Sequence, residues 1–374
     1  MADHGSLERL GLKPEDAERL LKEAREFKGE SLWSDAWRRL RRNRVALWSM
    51  YFLVAFGLMS FFAPLLPMRN PAAQAPEIQF QSPTLNLGDS GYLQEYAADD
   101  KITSEEIVNA YWPEMNSLDV LFVKVRLAVF GSWQPGFWMG TDAMGRDVLS
   151  RIVWGSRTSI KVALIASLFS LLIGVVYGAL SGLLGGWVDN LMMRIVDILY
   201  SIPFIFVVIF LITLIGDYKQ ALEEWGIDRM VVLYLVIGAV YWLTMARVVR
   251  GQVLALKHKE FVEAARVIGA STPRILFAHV VPNVLSIVII YLTLTIPAVM
   301  LFEAFLSFLG LGVEAPEVSW GILAADGTAA INPLRLFWWL VVFPSLAMAS
   351  TLLALNLLGD GLRDALDPKM RGKD

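Results

Sequence analysis

The sequence predicts an all-α integral membrane protein with six transmembrane helices. Apolar runs free of charged residues occur at 45–66, 162–187, 198–216, 230–246, 280–302 and 336–358. Each is close to or above the roughly 20 residues that cross a hydrocarbon layer at 1.5 Å per residue, with 230–246 the shortest. Hydrophobic residues make up 56% of the chain and charged residues only 18%, too few to clothe a soluble core of this size. Backbone polar groups in lipid must bond internally, so runs of this length are helices and not strands.

The first 44 residues are polar and read as a tail, not as a cleaved signal peptide, because the apolar run behind them is of spanning length and no small-residue cleavage pattern closes it. Within this tail, 14–28 carries a helical stripe of Ala17, Leu20, Leu21, Ala24 and Phe27. The stretch "LWSDAWRRLRRNR" then sets Trp33 and Trp37 beside Arg38, Arg39, Arg41, Arg42 and Arg44, which suits an interfacial helix leading into the first span. Beside a span, and with a net charge of only -3, this arginine cluster does not argue for a nucleic-acid partner.

Arginine placement sets the orientation. The cluster before Val45 puts the N-terminus in the cytoplasm by the positive-inside rule. Six spans return the C-terminal tail, with Arg363, Lys369, Arg371 and Lys373, to the same side. The 257–283 connection, flanked by Arg247 and Arg250 and carrying Lys257, Lys259, Arg266 and Arg274, also falls inside. The chain thus divides into a cytoplasmic tail at 1–44, a first span at 45–66, an extracytoplasmic insertion at 67–157, a five-helix core at 158–360 and a cytoplasmic tail at 361–374. The insertion is net acidic. Its "SLDVLFVKVRLAVFG" segment fits a short strand, an amphipathic helix or a loosely ordered loop.

Several function classes lack their residues. The chain has neither a G-x-x-x-x-G-K-[ST] phosphate loop, a dinucleotide glycine fingerprint nor a G-x-S-x-G elbow. It has no cysteine, and His4, His258 and His279 are not at H-E-x-x-H spacing. The spans hold almost no ionisable groups, which argues against a proton-driven carrier. Arg194 and Asp197, three apart before the 198–216 run, read as a structural pair on one helix face. Pro203 and Pro297 are candidate helix breaks. Gly174, Gly178, Gly182 and Gly186 recur every four residues and mark a face where another helix approaches closely. Tyr177, Tyr291, Thr293 and Thr295 read as interhelical hydrogen-bonding groups.

The cytoplasmic connection at 257–283 is longer and more patterned than a join requires. Phe261, Ala264, Ala265 and Ile268 fall at i, i+3, i+4 and i+7, a narrow small-residue stripe with Glu260, Glu263 and Arg266 off it. Gly269 suits the helix end, and Thr272 with Pro273 reads as an N-cap and N1 pair opening a second short helix. The stripe has little of the bulky surface a lipid-inserting helix uses, so docking into another protein's groove fits it better.

These residues also carry a resemblance. "EAARVIGASTPRILFAHVVP" is similar to the EAA loop of permease subunits in binding-protein-dependent ABC importers, matched at Glu263, Ala264, Ala265, Gly269 and Pro282. His279 and Val281 depart from the general pattern, and a histidine followed by Pro282–Asn283 resembles the dipeptide, oligopeptide and nickel branch. "GTDAMGRDVLSRIVWGSRTSI" at 140–160, "LSFLGLG" at 306–312 with Ser319, Trp320 and Gly321, "AWRRLRRNRVAL" and "LRDALDP" resemble the same branch. The resemblance implies a type I importer permease in a bacterial cytoplasmic membrane, carrying peptides, with a nickel chelate or other peptide-like solute as the alternative cargo; a non-transporting scaffold is the reading from a different class. It implies as partners a second, homologous permease, two ATP-binding subunits and an extracytoplasmic substrate-binding protein. The chain itself would be non-catalytic and without cofactor, ATP being bound by the partners. Glu263 would make the polar contact to the ATPase, Ala264 and Ala265 the close packing and Gly269 the turn, within a coupling segment that includes Pro273 and Pro282. Gly140, Asp142, Gly145, Arg146 and Asp147 would lie near the outer gate, with Arg146 and Asp147 in structural roles.

Overall fold

In the computed structural model the described residues are 32–85, 115–131, 133–216, 218, 224–225, 229–314 and 317–366. The expected helix at 14–28, residues 86–114 and 132 of the acidic insertion and the tail lysines Lys369 and Lys373 with Arg371 lie outside them. The helices are α1 (Leu32–Arg42), α2 (Arg44–Phe61), α3 (Ser117–Phe130), α4 (Val148–Leu184), α5 (Gly186–Ser201), α6 (Phe204–Gly216), α7 (Arg229–Leu256), α8 (Glu260–Val267), α9 (Thr272–Ile275), α10 (Val281–Phe308), α11 (Trp320–Ala329) and α12 (Trp339–Leu366). Among the described residues extended pairing amounts to two isolated bridges, Thr141 to Asp147 and Asn332 to Arg335. The all-α expectation is met, and the 117–131 segment resolves to helix α3, capped by Asn116.

Among the described residues five helices are long and apolar enough to cross a membrane, α9 and α10 running together as one from Thr272 to Phe308, and a sixth span results if α5 and α6 are taken as one bent element. That pair turns by 86°, so the 198–216 run is broken at the candidate site. Pro203 is the cause: it lacks a donor and forces Ile202 into extended backbone at φ -82 and ψ 128. Pro297, the other candidate break, is carried inside α10. There Gly359 of α12 lies against Thr293, the residue whose carbonyl Pro297 leaves without its helical donor.

α4 begins at Val148, not at 162, and its 37 residues give about 55 Å of helix, longer than the hydrocarbon layer alone needs. Asp147 starts it, accepting from the Ser150 amide at 2.9 Å. α12 likewise continues to Leu366, into the expected tail. α1 uses Ala36 and Leu40 to pack with Ala365 near the end of α12, while Trp37 stays exposed with the Arg41 guanidinium 4.9 Å from its ring centroid.

The glycine row packs α4 on α7. A Cβ at Gly174 would stand 2.6 Å from Met245 Cβ, one at Gly182 2.9 Å from Val253 Cβ, and one at Gly178 would run into the Ala246 carbonyl. Gly186 is not part of the row: it opens α5 at φ +58, with nothing within 4 Å of a Cβ there. Apolar side chains gather into a large cluster around Ile237, Met300, Leu306 and Trp320. A second cluster, at the other end of α4 and α7, holds Leu183, Val249, Val253, Ile275 and Leu276.

Candidate functional site

α8 is seated on that second cluster. Val262 and Ala265, an i, i+3 pair, are buried in it. Phe261, Ala264, Val267 and Ile268 face outward, the last two 87% and 84% exposed. This corrects the expected stripe: Ala265 belongs to the protein core and Val267 to the free surface. At 100° per residue Ala265 sits on the border of two arcs, and the β-branched Val262 draws that border inward.

Gly269 ends α8 at φ +81, where a side chain would be strained. Its amide bonds to Arg266 O at 2.9 Å and the Ala270 amide to Ala265 O at 3.0 Å, the paired bonds of a Schellman stop. The restart is one residue earlier than expected, with Ser271 as N-cap, Thr272 inside the helix and exposed Pro273 following it. Nor does a separate second helix form. α9 passes through a π turn at Leu276–Val280 directly into α10, so Pro282 lies in the first turn of a span. The wide turn absorbs the donor that Pro282 lacks, and Asn283 Nδ2 donates to His279 O at 2.6 Å. The 257–283 connection is therefore one short helix, a glycine stop and the start of the fifth span.

Salt bridges brace the same end of the bundle. Arg250 Nη2 donates to Asp189 Oδ2 at 2.6 Å, joining α7 to α5, and Ser181 of α4 also donates to Asp189. Asp197 pairs with Arg247 at 2.8 Å, so it is bound across to α7 and not to Arg194 as expected. The Arg247 guanidinium also stands 4.2 Å from the Tyr200 ring centroid. Tyr177 bonds across to Met192 O at 2.9 Å, as expected, whereas Thr293 and Thr295 bond back to carbonyls of their own helix.

The other candidate segment is a tight turn ahead of α4. Asp142 Oδ1 accepts from the amides of Met144 at 2.8 Å and Arg146 at 2.9 Å. Its Oδ2 accepts from Arg146 Nε at 2.7 Å and Arg151 Nη1 at 2.6 Å. Arg151 Nη1 and Arg146 Nη2 both reach Asp326 Oδ2 of α11, at 2.8 and 3.3 Å. Gly140 and Gly145 have positive φ, and a Cβ on either would strike backbone, at Gln81 and Ala75. Burial pushes the Asp147 carboxyl up against the two hydrogen bonds it accepts from Ser150. The five expected residues come together here, but the turn is closed by two more, Arg151 and Asp326, the second of which lies too far along the chain for any spacing to reveal.

Glu303 was also hidden from a run-based reading, since it follows the 280–302 run by one residue. It is fully buried in α10 and accepts from Ser307 Oγ at 2.7 Å and Ser159 Oγ at 3.1 Å. Ser159 Oγ in turn accepts from the Trp320 amide at 3.2 Å, so one carboxyl links α10, α4 and α11. Among the described residues no group of three or more His, Cys, Asp or Glu is placed to hold a metal ion.

A bundle of apolar helices with a helix presented at one end and an ion-paired turn at the other defines a multi-span membrane protein. The chain belongs to the family described as binding-protein-dependent transport system inner membrane component, whose model matches residues 171–372. Residues 31–83 match a second model, the N-terminal TM domain of oligopeptide transport permease C. The oligopeptide transport system permease protein OppC of Escherichia coli K12 is 40% identical over 346 residues, 92% of this chain and 94% of the relative. The dipeptide transport system permease protein DppC of Bacillus subtilis is 36% identical over 91% of this chain and 87% of its own. The glutathione transport system permease protein GsiD of Escherichia coli O6:K15:H31 is 33% identical over 91% of each. A weaker likeness, TM-score 0.44 at 17% identity over 58% of this chain and 96% of the other, is to an inward-facing MetNI methionine ABC transporter.

Proposed function

We infer that this chain is the permease subunit of an ATP-driven peptide importer, non-catalytic itself and oriented with both termini in the cytoplasm. It forms half of the translocation path with a second, homologous permease. Two ATP-binding subunits dock from the cytoplasm, and an extracytoplasmic substrate-binding protein delivers the peptide. The observation that carries this reading is α8: its exposed Phe261, Ala264, Val267 and Ile268 are offered on a helix whose Val262 and Ala265 are locked into the bundle. A helix so seated moves with α4, α7 and α10 when a partner moves it, and rigid spans turn that motion into alternating access. The permease names of the relatives supply the peptide class. The test is ATP-dependent uptake of a labelled peptide into vesicles that hold all four kinds of component. Uptake of a nickel chelate but not of peptide assigns the other cargo, and no uptake of either removes the transport reading.

A further inference from the structure

α3 is turned inside out for a helix that lies outside the spans. Its acidic and basic groups face the protein: Asp119 is 7% and Arg126 1% exposed, and Lys124 is half-buried. Arg157 Nη2 of α4 reaches Asp119 Oδ1 at 2.7 Å. After Ser117 at the start of the helix, the outward positions are Leu118, Leu121, Val125, Ala128, Val129 and Phe130, all apolar. A helix lying in water shows the opposite arrangement, so this face requires an apolar cover.

Two moorings set the level at which the face lies. Phe122 packs on Phe61 and Phe62 at the end of α2, with ring centroids 5.9 and 5.5 Å apart. The span α2 has only 17% of its window buried within the chain and presents Tyr51, Val54, Leu58 and Phe61 outward. The bare face of α3 therefore continues from the bare face of a membrane span at the point where that span ends. On its other side α3 holds Arg157, one turn before Lys161 closes the charged opening of α4. Trp133 follows the helix and is also exposed, an amphipathic ring of the kind enriched at membrane interfaces.

We propose that α3 is an interfacial membrane anchor, lying along the bilayer surface at the C-terminal end of α2 with Leu121, Val125 and Val129 in the acyl chains of that leaflet. Such a helix binds by buried apolar area and needs no membrane crossing of its own. It holds the segment between the first two spans against the lipid, and through Asp119 and Arg157 it fixes the start of α4 at the same depth.

The chain has no cysteine, so each variant, labelled before assembly with its partners, carries a single label at the chosen position. Leu121→Cys, Val125→Cys and Val129→Cys are each spin-labelled in the assembled transport complex, in vesicles of phosphatidylethanolamine and phosphatidylglycerol. Exposed Glu77→Cys is the aqueous reference. Collisions with dissolved oxygen are expected to exceed those with a water-soluble nickel complex at all three α3 positions, and the order to reverse at 77. Dominance of the nickel complex on α3 would place the face in water and overturn the anchor. Exclusion of both agents would show a protein partner covering it, and would overturn the anchor equally.

Discussion

Arg151 and Asp142 meet at 2.6 Å with side chains only 2% and 4% exposed, nine residues apart across the start of α4. A charge pair at this depth has given up its water, and only mutual contact with good geometry offsets the loss. Removing one partner leaves the other buried and uncompensated. Arg151→Met is therefore expected to destabilise the chain by about 3–5 kcal/mol, and Asp142→Ala by a similar amount. Asp326→Asn is expected to cost less, because that side chain is 39% exposed and water replaces what is lost. Thermal unfolding in detergent, with the Asp142→Ala, Arg151→Met double variant closing the cycle, measures the coupling. A stability unchanged in Arg151→Met would show that the network holds nothing together.

The glycine row divides sharply by position. Gly178→Leu is expected to prevent α4 from closing on α7, because the backbone of Ala246 occupies the space and cannot give. Gly186→Ala meets no neighbour and costs only the strain of a side chain at φ +58, about 1–2 kcal/mol. Yield of folded protein from the membrane, compared between the two, decides this. Equal yields would mean that α4 and α7 do not pack as described.

The difference between Gly178 and Gly186 also shows what was legible in the sequence and what was not. Spacing finds residues every four positions but does not see where one helix ends and the next begins. Run-based span limits erred in the same way, stopping at the first charge. Lys161 bounded the second run, yet α4 continues back through it past Arg157 and Arg151, which pair with Asp119 and Asp142. Glu303 ended the fifth run, yet serine hydroxyls from two elements hold it inside α10. The partners that keep such charges inside a helix lie up to 175 residues away, as Asp326 does from Arg151. Local signals were readable: the Gly269 stop, the break at Pro203 and the helical period of α8. Which of two adjacent alanines faced out depended on Val262 and its neighbours in the fold.

Those two alanines separate folding from docking. Ala265→Leu forces extra volume into the cluster of Val253, Ile275 and Leu276, with overpacking costs of about 1–3 kcal/mol. Ala264→Leu adds the same atoms to an exposed position and leaves stability within about 0.5 kcal/mol. If α8 is the docking helix, Ala264→Leu nevertheless weakens co-purification of the ATP-binding subunits and lowers uptake. The expected pattern is a lower unfolding temperature for the first variant and normal unfolding with lost association for the second. Intact association and uptake in Ala264→Leu would remove this surface from the docking interface.

Glu303 gives the strictest test of packing inside the bundle. Its carboxyl oxygens are reached by Ser307 and Ser159, and Ser159 is held in place by the Trp320 amide. Gln preserves shape and an acceptor, so Glu303→Gln is expected to fold and assemble like the parent chain. Glu303→Leu fills similar space but leaves the hydroxyls of Ser159 and Ser307 without their acceptor, each worth about 1–3 kcal/mol when buried. The loosened contact falls between α10, α4 and the start of α11, where a Cβ on Gly321 would stand 2.6 Å from Ala304 Cα. Limited proteolysis of the chain in vesicles should therefore find the α10–α11 connection cut faster in Glu303→Leu and unchanged in Glu303→Gln. Equal cutting in both would mean that the hydroxyls reach other partners, and that the carboxyl does not hold these three helices in register.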